Sequence, residues 1–427
     1  MSASYRRILA LPGALAFTLA ALPARLAMSM SGVCAVVLIS ERRGSYALAG
    51  AVSAAGMVSL AVLLPLLGRL VDRYGQARVA VPSVLAAAVP TAGLLLCVRS
   101  GTPDWTLFLC WAASSTAPNV GGMVRARWAH LLRGDEAGRH LANSLEQALD
   151  ELCFMLGPVL AVLLCRAFTP ETGLLTAGVL CTAGVLLLAV QRGTEPPLAP
   201  APAGAAGGEG TSGAGRPAGG RGGLRVLLPM FLATGVVFGS MEVTTIAYTD
   251  ATGHGSLAGL LLGLVAAGSC VSGLVSGLLR PRRGPAARLL GGVAAMAGLM
   301  LLPAAAGLFG AGPAVLATAL FLAGSGTAPT MVSGMTLVQR LVPASRLNEA
   351  MAAAVSAILV GISAGSAIGG AVAQRMPAGA GYLVPAAAAA TALLIAATGA
   401  RRLRAAAPSP AGRRTTDRAV PAAACAD

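Results

Sequence analysis

Lysine is absent from this sequence of 427 residues, and all 31 basic positions are arginine. Charged residues make up only 11% of the chain and aromatic residues 4%, whereas 56% of the residues are hydrophobic. Soluble domains carry about 25% charged residues, so this scarcity excludes an ordinary soluble fold. The net charge of +15 does not indicate a nucleic-acid partner, because the arginines are scattered between apolar runs rather than gathered with aromatic residues.

Several chemical motifs are also missing. The eight cysteines form no Cys-x-x-Cys pair, and seven of them lie in apolar runs, so they indicate core residues rather than disulfides or metal ligands. No Gly-x-x-x-x-Gly-Lys loop indicates a nucleotide-driven pump, and no Ser/His, paired-Asp or His-rich constellation indicates an enzyme. His130, His140 and His254 are expected in loops, which leaves no histidine relay within a span. We therefore expect neither a cofactor nor catalysis.

Long apolar runs dominate what is present. A bilayer core of about 30 Å needs roughly twenty apolar residues, and a helix satisfies its own backbone hydrogen bonds there. The sequence predicts twelve such spans in two sets of six, at residues 9–39, 48–70, 79–98, 105–124, 145–165 and 172–190, then 224–247, 257–279, 289–308, 314–338, 350–373 and 382–400.

The two sets of spans are separated by residues 191–223, which are dense in Gly, Pro and Ala. Such a composition predicts a disordered linker. We expect a six-helix bundle over residues 1–190, a second over 224–400, and a disordered tail over 401–427.

Arginine placement predicts the orientation, because cytoplasmic loops collect positive charge. With the N-terminus inside, 25 arginines fall on the cytoplasmic side, and Arg25 falls within a span. The remaining five fall outside, namely Arg42, Arg43, Arg99, Arg166 and Arg375. We expect a multi-pass protein of the cell membrane with both termini cytoplasmic.

The second half repeats features of the first at an offset near 209 residues. Three sets of positions come into register: Gly68, Arg73 and Gly75 with Gly277, Arg282 and Gly284; Thr116 to Pro118 with Thr327 to Pro329; and Arg166 with Arg375. These matches predict an all-α membrane protein of twelve helices in two pseudo-symmetric halves, which is the symmetry of the major facilitator fold.

The loop after the second span carries the most specific motif. Its residues run Gly68-Arg69-Leu70-Val71-Asp72-Arg73-Tyr74-Gly75-Gln76-Ala77-Arg78. This loop resembles the cytoplasmic signature of major facilitator superfamily transporters, a Gly, three residues and Asp-Arg-x-Gly followed by basic residues. Gly68 permits close helix contact, Asp72 can accept from an arginine or a helix N-terminus, and Gly75 allows a tight turn.

The resemblance implies a latch of Gly68, Asp72, Arg73, Gly75 and Arg78 that joins the halves in one access state and releases them in the other. Gln76 departs from the signature, where a basic residue is usual. The second-half copy has Pro281 in place of the Asp and therefore lacks the carboxylate of such a latch.

Two further segments resemble members of this superfamily. Gly157-Pro158 with Ala161 in the fifth span resembles part of the antiporter signature, and a plain proline kink is the alternative. Arg125-Ala126-Arg127-Trp128, which closes the fourth span, resembles the basic stop of actinobacterial members. An anchor that fixes topology is the preferred interpretation of that segment.

Ionisable residues inside spans are costly and indicate function. Arg25, Asp150, Glu151 and Glu242 lie at membrane depth, with Glu146 nearer the cytoplasmic mouth. Arg25 and Glu242, on equivalent helices, are expected to face one pathway, or else Arg25 pairs permanently with a carboxylate. Either Glu242 or the Asp150 and Glu151 pair is expected to bind the coupling proton, and Glu151 is the preferred residue.

These observations predict a secondary transporter, similar to drug-efflux members of the superfamily, that moves a small organic molecule by alternating access. We expect protons as the coupling ion, the lipid bilayer as surroundings, and a monomer. Proton-coupled or facilitated uptake of a small metabolite is the alternative, ahead of a receptor or scaffold without transport and of an intramembrane enzyme. The apolar spans, poor in Asn, Gln and Trp, favour efflux over sugar uptake.

Overall fold

The computed structural model describes residues 3–198, 219–254, 257–279 and 284–405. Over these ranges the backbone forms helices and no strand. In the first half they are α1 Ala3–Leu9, α2 Ala14–Arg43, α3 Tyr46–Tyr74, α4 Gln76–Ser100, α5 Trp105–Ser114, α6 Val120–Leu131, α7 Glu136–Ala167 and α8 Pro170–Val190. In the second half they are α9 Gly219–Ala251, α10 Ala258–Leu278, α11 Pro285–Leu299, α12 Leu301–Leu308, α13 Pro313–Ser325, α14 Thr327–Leu341, α15 Leu347–Arg375, α16 Leu383–Thr398 and α17 Ala400–Ala405.

Eleven helical stretches in the described ranges are long and apolar enough to cross a membrane. Two of them combine neighbouring helices, α11 with α12 and α13 with α14. The twelfth crossing connects the end of α4 to the start of α7 and consists of α5 and α6. The chain is therefore an all-α, multi-pass membrane protein.

The fourth crossing differs from the single helix predicted at residues 105–124. The chain leaves the helix after Ser114 and begins a new one at Val120. Pro118 has no N–H group to donate within a helix, and the Asn119 side chain accepts a hydrogen bond from Gly122 N at 3.1 Å to cap α6. The prediction overlooked that Pro-Asn is a signal to break and restart a helix.

Other boundaries also differ from the prediction. The first span begins at Ala14 rather than residue 9, because Gly13 adopts a φ of 77° and separates α1 from α2. The predicted linker is helical at both ends, with a short 3₁₀ turn at Arg192–Thr194 and α9 starting at Gly219. Its residues 199–218, tail residues 406–427, and Arg280 to Arg283 lie outside the described residues.

The two halves repeat the same packing. In the first half α2 packs on α7 and α8, α4 packs on α5 and α8, and α3 packs on α5. In the second half α9 packs on α15 and α16, α11 packs on α14 and α16, and α10 packs on α13. This correspondence shows two pseudo-symmetric six-helix halves.

Each half has its own apolar core. Two clusters of buried side chains fill the first half, and the cluster of the second half takes in only Ala126 as a buried member from the first. Large apolar side chains such as Val89, Leu109 and Leu394 remain exposed. This pattern suits a protein whose outer surface contacts lipid rather than water.

The bundle has two ends, which we name by the loops they carry. The terminal end carries α1, the turn at Gly75, the residues after α8, and α17. The opposite end carries the turns that follow α2, α4, α7 and α9.

Candidate functional site at the interface of the halves

At the terminal end, a carboxylate of the first half caps a helix of the second. Asp72 Oδ1 accepts hydrogen bonds from the backbone N (3.0 Å) and side-chain Nδ2 (2.8 Å) of Asn348, and Asp72 Oδ2 accepts from Glu349 N at 2.9 Å. These donors belong to the first turn of α15, where the helix dipole is positive. Asp72 therefore binds α15 as an N-cap supplied by the other half.

Close backbone contact accompanies this cap. A Cβ atom on Gly68 would lie 2.7 Å from Asn348 O and 2.8 Å from Glu349 Cα, so glycine is required for this approach. The neighbouring Arg69 donates from Nε to Glu349 Oε1 at 2.6 Å, and Arg346 also binds Glu349. Glu349 and Arg346 therefore lie at this contact between the halves.

The remaining residues of the predicted latch act within the first half. Gly75 adopts a φ of 96° and separates α3 from α4. The Glu195 carboxylate accepts from Gln76 N and Ala77 N and so caps α4. Arg73 and Arg78 are exposed, and in the described part of the chain neither forms an ion pair.

The equivalent contact in the repeat joins α10 to α7. A Cβ on Gly277 would meet the Tyr5 hydroxyl and the Ser144 side chain rather than backbone. Tyr5 donates to Leu274 O at 2.8 Å, and burial raises the pKa of Tyr5 to about 12, so this donor is neutral. Pro281 and Arg282 of the second loop copy lie outside the described residues.

Buried polar side chains also join α7 to α10 and α14. Asn143 Nδ2 donates to Thr336 Oγ1 (2.9 Å) and Gln339 Oε1 (3.0 Å), and Gln339 Nε2 donates back to Asn143 Oδ1 at 3.1 Å. A ring nitrogen of His140 lies 3.0 Å from Ser276 O.

The placement of His140 corrects the prediction that every histidine lies in a loop. Helix α7 begins at Glu136, well before the predicted start at residue 145, because the Asp135 side chain caps it by accepting from Gly138 N. His140 is consequently buried within a helix that is a candidate span. His130 likewise lies in α6.

A buried charge network fills the inner face of the first half. Arg25 donates to Glu146 Oε2, and its Nη1 lies 3.3 Å from Asp150 Oδ1. Arg125 Nη2 donates to Asp150 Oδ2 at 2.6 Å, and Trp128 Nε1 donates to Glu146 Oε1 at 2.7 Å. Two guanidinium groups thus face two carboxylates, and their charges balance.

This network differs from the prediction in three respects. Arg25 pairs with carboxylates of α7 and forms no ion pair with Glu242. Arg125, predicted to be a topology anchor, is buried and paired. Glu146 is wholly buried and not at a mouth. Glu146 and Asp150 are four residues apart, a spacing that places both on one face of a helix.

Arg127 is also buried rather than a surface anchor. Its guanidinium donates to Leu188 O (2.9 Å), Gln191 O (2.8 Å) and Thr194 Oγ1 (2.9 Å), where α8 ends. Its Nε donates to Gln76 Oε1 at 2.8 Å. Cations bind well at helix C-termini, where carbonyl groups lack partners. Gln76 thus ties the turn at Gly75 to α6.

Glu151 lies between the halves and has a different environment from Asp150. Its Oε1 accepts from Ser269 Oγ of α10 at 2.8 Å and from Gln147 Nε2 at 3.0 Å. Thr327 Oγ1 of α14 in turn donates to Ser269 Oγ at 2.9 Å. All these donors are neutral, and no described cation pairs with Glu151.

Glu242 and the Gly157-Pro158 segment, the other two predicted features, lie apart from Glu151 and its partners. Glu242 is exposed on α9 and forms no hydrogen bond or ion pair with any described residue. At Gly157 a Cβ would collide with Ser29, whose Oγ donates to Cys153 O at 2.8 Å. Gly157 therefore permits close packing of α7 on α2, and α7 continues through Pro158.

The contacts between the halves are unevenly distributed along the bundle. In the described ranges, every hydrogen bond between the halves lies at the Glu151–Ser269 pair or closer to the terminal end. The hydrogen bonds between the halves are thus concentrated toward the terminal end. No cluster of three or more His, Cys, Asp or Glu side chains suited to a metal occurs in these ranges.

Solved structures of low sequence identity share the fold. The human organic anion transporter MFSD10 (TETRAN) is 17% identical, with 93% of this chain and 100% of that one covered and a TM-score of 0.66. A bacterial homologue of the iron transporter ferroportin, in an outward-facing state with soaked iron, is 16% identical over 90% and 98%, with a TM-score of 0.69. The proton:xylose symporter XylE is 13% identical over 90% and 95%, with a TM-score of 0.63.

Sequence comparison identifies the family. No curated protein sequence matches the chain. The model of the Major Facilitator Superfamily matches residues 17–312, more than half of the chain. The structural neighbours above are transporters and not enzymes. The chain therefore belongs to the major facilitator superfamily of membrane transporters.

Proposed function

We propose that this protein is a proton-coupled exporter of a small organic molecule, a drug or a metabolite. It acts as a monomer in the cell membrane with both termini in the cytoplasm, and it moves its substrate by alternating access. The observation that carries this proposal is the position of Glu151, a carboxylate between the halves with only neutral partners.

The access state follows from the uneven contacts between the halves. The terminal end, where hydrogen bonds join the halves, is the closed end. With the termini in the cytoplasm, this end blocks the cytoplasmic side, and the arrangement is outward-facing. The cap from Asp72 on α15 stabilises this state, because it joins a charge of one half to a helix terminus of the other. Opening toward the cytoplasm requires that this cap and the α7 contacts break.

Charge balance favours Glu151 as the proton site. Protonating Asp150 would leave two guanidinium groups facing Glu146 alone, which is costly in a buried network. Protonating Glu151 removes a charge that has no counter-ion at membrane depth. It also removes the charged acceptor for Ser269, which weakens one tie between the halves. Proton binding at Glu151 would thereby favour opening of the terminal end, and a cationic substrate would compete with the proton.

Proton-coupled uptake of a small metabolite is the second candidate. The structural neighbour XylE is a proton:xylose symporter. The apolar spans of this chain favour export, as does the resemblance of Gly157-Pro158 to the antiporter signature.

The experiment is transport by purified protein in liposomes with an imposed pH gradient. Substrates are first chosen by comparing accumulation of cationic and neutral antibiotics in cells with and without the protein. We expect Glu151→Gln to reduce gradient-driven export about tenfold or more, the change that about 1.4 kcal/mol produces. Flux down the substrate's own gradient should persist in that variant.

Asp250→Asn serves as the control, because Asp250 is exposed at the end of α9 and outside the interface. Full gradient-driven transport in both Glu151→Gln and Glu242→Gln would refute proton coupling through these groups. Loss of both carboxylates without any effect on solute flux would favour a receptor or scaffold.

A further inference from the structure

A second charge cluster lies at the terminal end, apart from the Asp72 cap and from Glu151. It consists of Arg288 in the first turn of α11, Arg340 near the end of α14, and Glu136 in the first turn of α7. Arg340 Nη2 binds Glu136 Oε1, and Arg288 Nη2 lies 3.7 Å from the same oxygen, beyond hydrogen-bonding distance. Both arginines belong to the second half and the glutamate to the first.

The guanidinium of Arg288 has donors without acceptors. Its Nε, Nη1 and Nη2 are all buried, and none has a hydrogen-bond partner among the described residues. Arg340 Nε is likewise buried and has no hydrogen-bond partner among the described residues. Burying a charged donor that lacks an acceptor is costly. The cluster therefore presents at least four donor atoms that an added acceptor would stabilise.

The charges of this cluster are also unbalanced. In the first-half network, two guanidinium groups face the two carboxylates Glu146 and Asp150. Here two guanidinium groups share one carboxylate, and side-chain exposures of 13% for Arg288 and 15% for Arg340 limit their screening by water. The position of Arg288 in the first turn adds the positive end of the α11 dipole. The cluster lacks one anion relative to the balanced network.

We propose that Arg288 and Arg340 form a binding site for a phosphate-type oxyanion, supplied by an anionic lipid headgroup or by free phosphate. Guanidinium groups bind phosphate with paired, charge-assisted hydrogen bonds, and basic pockets between membrane helices accept lipid headgroups. The bound anion would share Arg340 with Glu136. It would weaken the attraction between Glu136 and the arginines, so the site would also modulate the contact between the halves.

The test measures thermal unfolding of the purified, delipidated full-length protein in an uncharged detergent. One arm adds sodium phosphate against sodium chloride at equal ionic strength, and the other adds phosphatidylglycerol against phosphatidylcholine. We expect a saturable rise in the unfolding temperature with phosphate, phosphatidylglycerol or both. Arg288→Gln should raise the half-saturating concentration about ten- to a hundredfold, the loss expected for hydrogen bonds to a charged group.

Arg78→Gln is the matched control, because Arg78 also lies in the first turn of its helix but is exposed. Arg340→Gln provides a second variant in case Arg288→Gln does not fold. A response to phosphatidylglycerol alone identifies a lipid site, and a response to phosphate alone identifies a soluble anion site. No saturable response, or an equal response in wild type and both site variants, would overturn the proposal.

Discussion

The two halves contact each other at two pseudo-symmetric crossings that use different chemistry. At the crossing of α3 and α15, the Asp72 carboxylate binds the positive end of a helix, and Gly68 lies against backbone. At the crossing of α10 and α7, His140 contacts Ser276 O, and Glu151 accepts from the neutral Ser269 hydroxyl. Gly277 there lies against side chains.

This difference indicates that the two crossings have different roles. The Asp72 carboxylate binds the positive end of α15 through backbone donors, so it can act as a mechanical latch. Glu151 instead accepts from single side-chain donors, so its protonation leaves no helix end uncapped and no cation unpaired, which suits a proton sensor. We therefore expect the crossing of α3 and α15 to stabilise the closed state. The crossing of α7 and α10 should respond to protonation of Glu151.

The largest effect is expected from Gly68→Ala. The added Cβ would collide with backbone atoms of α15, which cannot rotate away, and overpacking typically costs about 1–3 kcal/mol. The population with a closed terminal end should fall about five- to 150-fold. Distances between spin labels at Arg78→Cys and Arg401→Cys, in a cysteine-free background, measure that population.

Gly277→Ala is the counterpart at the other crossing. Its Cβ meets the Tyr5 hydroxyl and the Ser144 side chain, which can adjust. Its effect on the closed population should be smaller than that of Gly68→Ala. Equal effects at both glycines would remove the distinction between the crossings.

Next in size is Asp72→Ala. Loss of a helix N-cap typically costs about 0.5–2 kcal/mol, which corresponds to an about two- to thirtyfold smaller closed population. Asp135→Ala is the matched control, since Asp135 caps α7 within its own half. Asp135→Ala should lower thermal stability but leave unchanged the ratio of molecules with a closed terminal end to those with an open one. A shift of that ratio in the control equal to that of Asp72→Ala would contradict a latch role.

Asn143→Ala should have a smaller effect on the same distances. It removes hydrogen bonds to Thr336 and Gln339 between neutral groups, which contribute less than hydrogen bonds to a charged group. Ser144→Ala is the neighbouring control, because the Ser144 hydroxyl donates to His140 O within α7. If Ser144→Ala opened the terminal end as much as Asn143→Ala, the amide pair would have no specific role.

The smallest effect is expected from Thr327→Val, which removes the hydroxyl that donates to Ser269. The closed population should fall about twofold, as for loss of one weak hydrogen bond. The effect should vanish in a Glu151→Gln background, because Thr327 acts on Glu151 through Ser269. A double-mutant cycle measures this coupling, and strict additivity would show that Thr327 acts independently.

Much of the fold could be predicted from hydropathy and arginine placement, because each span carries its own signal. The break at Pro118 and the early start of α7 at Glu136 depend on local capping by Asn119 and Asp135. Both capping residues can be recognised in the sequence, but the predicted helix bounds follow the apolar runs alone.

The candidate site was predictable only in part. Gly68 and Asp72 belong to a recognisable loop, yet their partners Asn348 and Glu349 lie far away in sequence and depend on how the halves dock. The Arg25 pairing with Glu146 and Asp150 was signalled by the four-residue spacing of those carboxylates. No local signal distinguishes Arg288, because its unbalanced charge arises only where α11, α14 and α7 meet.

Protonation of Glu151 should release the closed terminal end. The direct measurement is the pair of label distances between Arg78→Cys and Arg401→Cys at the terminal end and between Glu41→Cys and Thr252→Cys at the opposite end, as pH is lowered. We predict that the terminal distance lengthens while the opposite distance shortens, and that Glu151→Gln adopts the low-pH distances at every pH. Distances that stay fixed, change in the same direction at both ends, or respond to pH equally in Glu151→Gln would show that protonation of Glu151 does not release the terminal end.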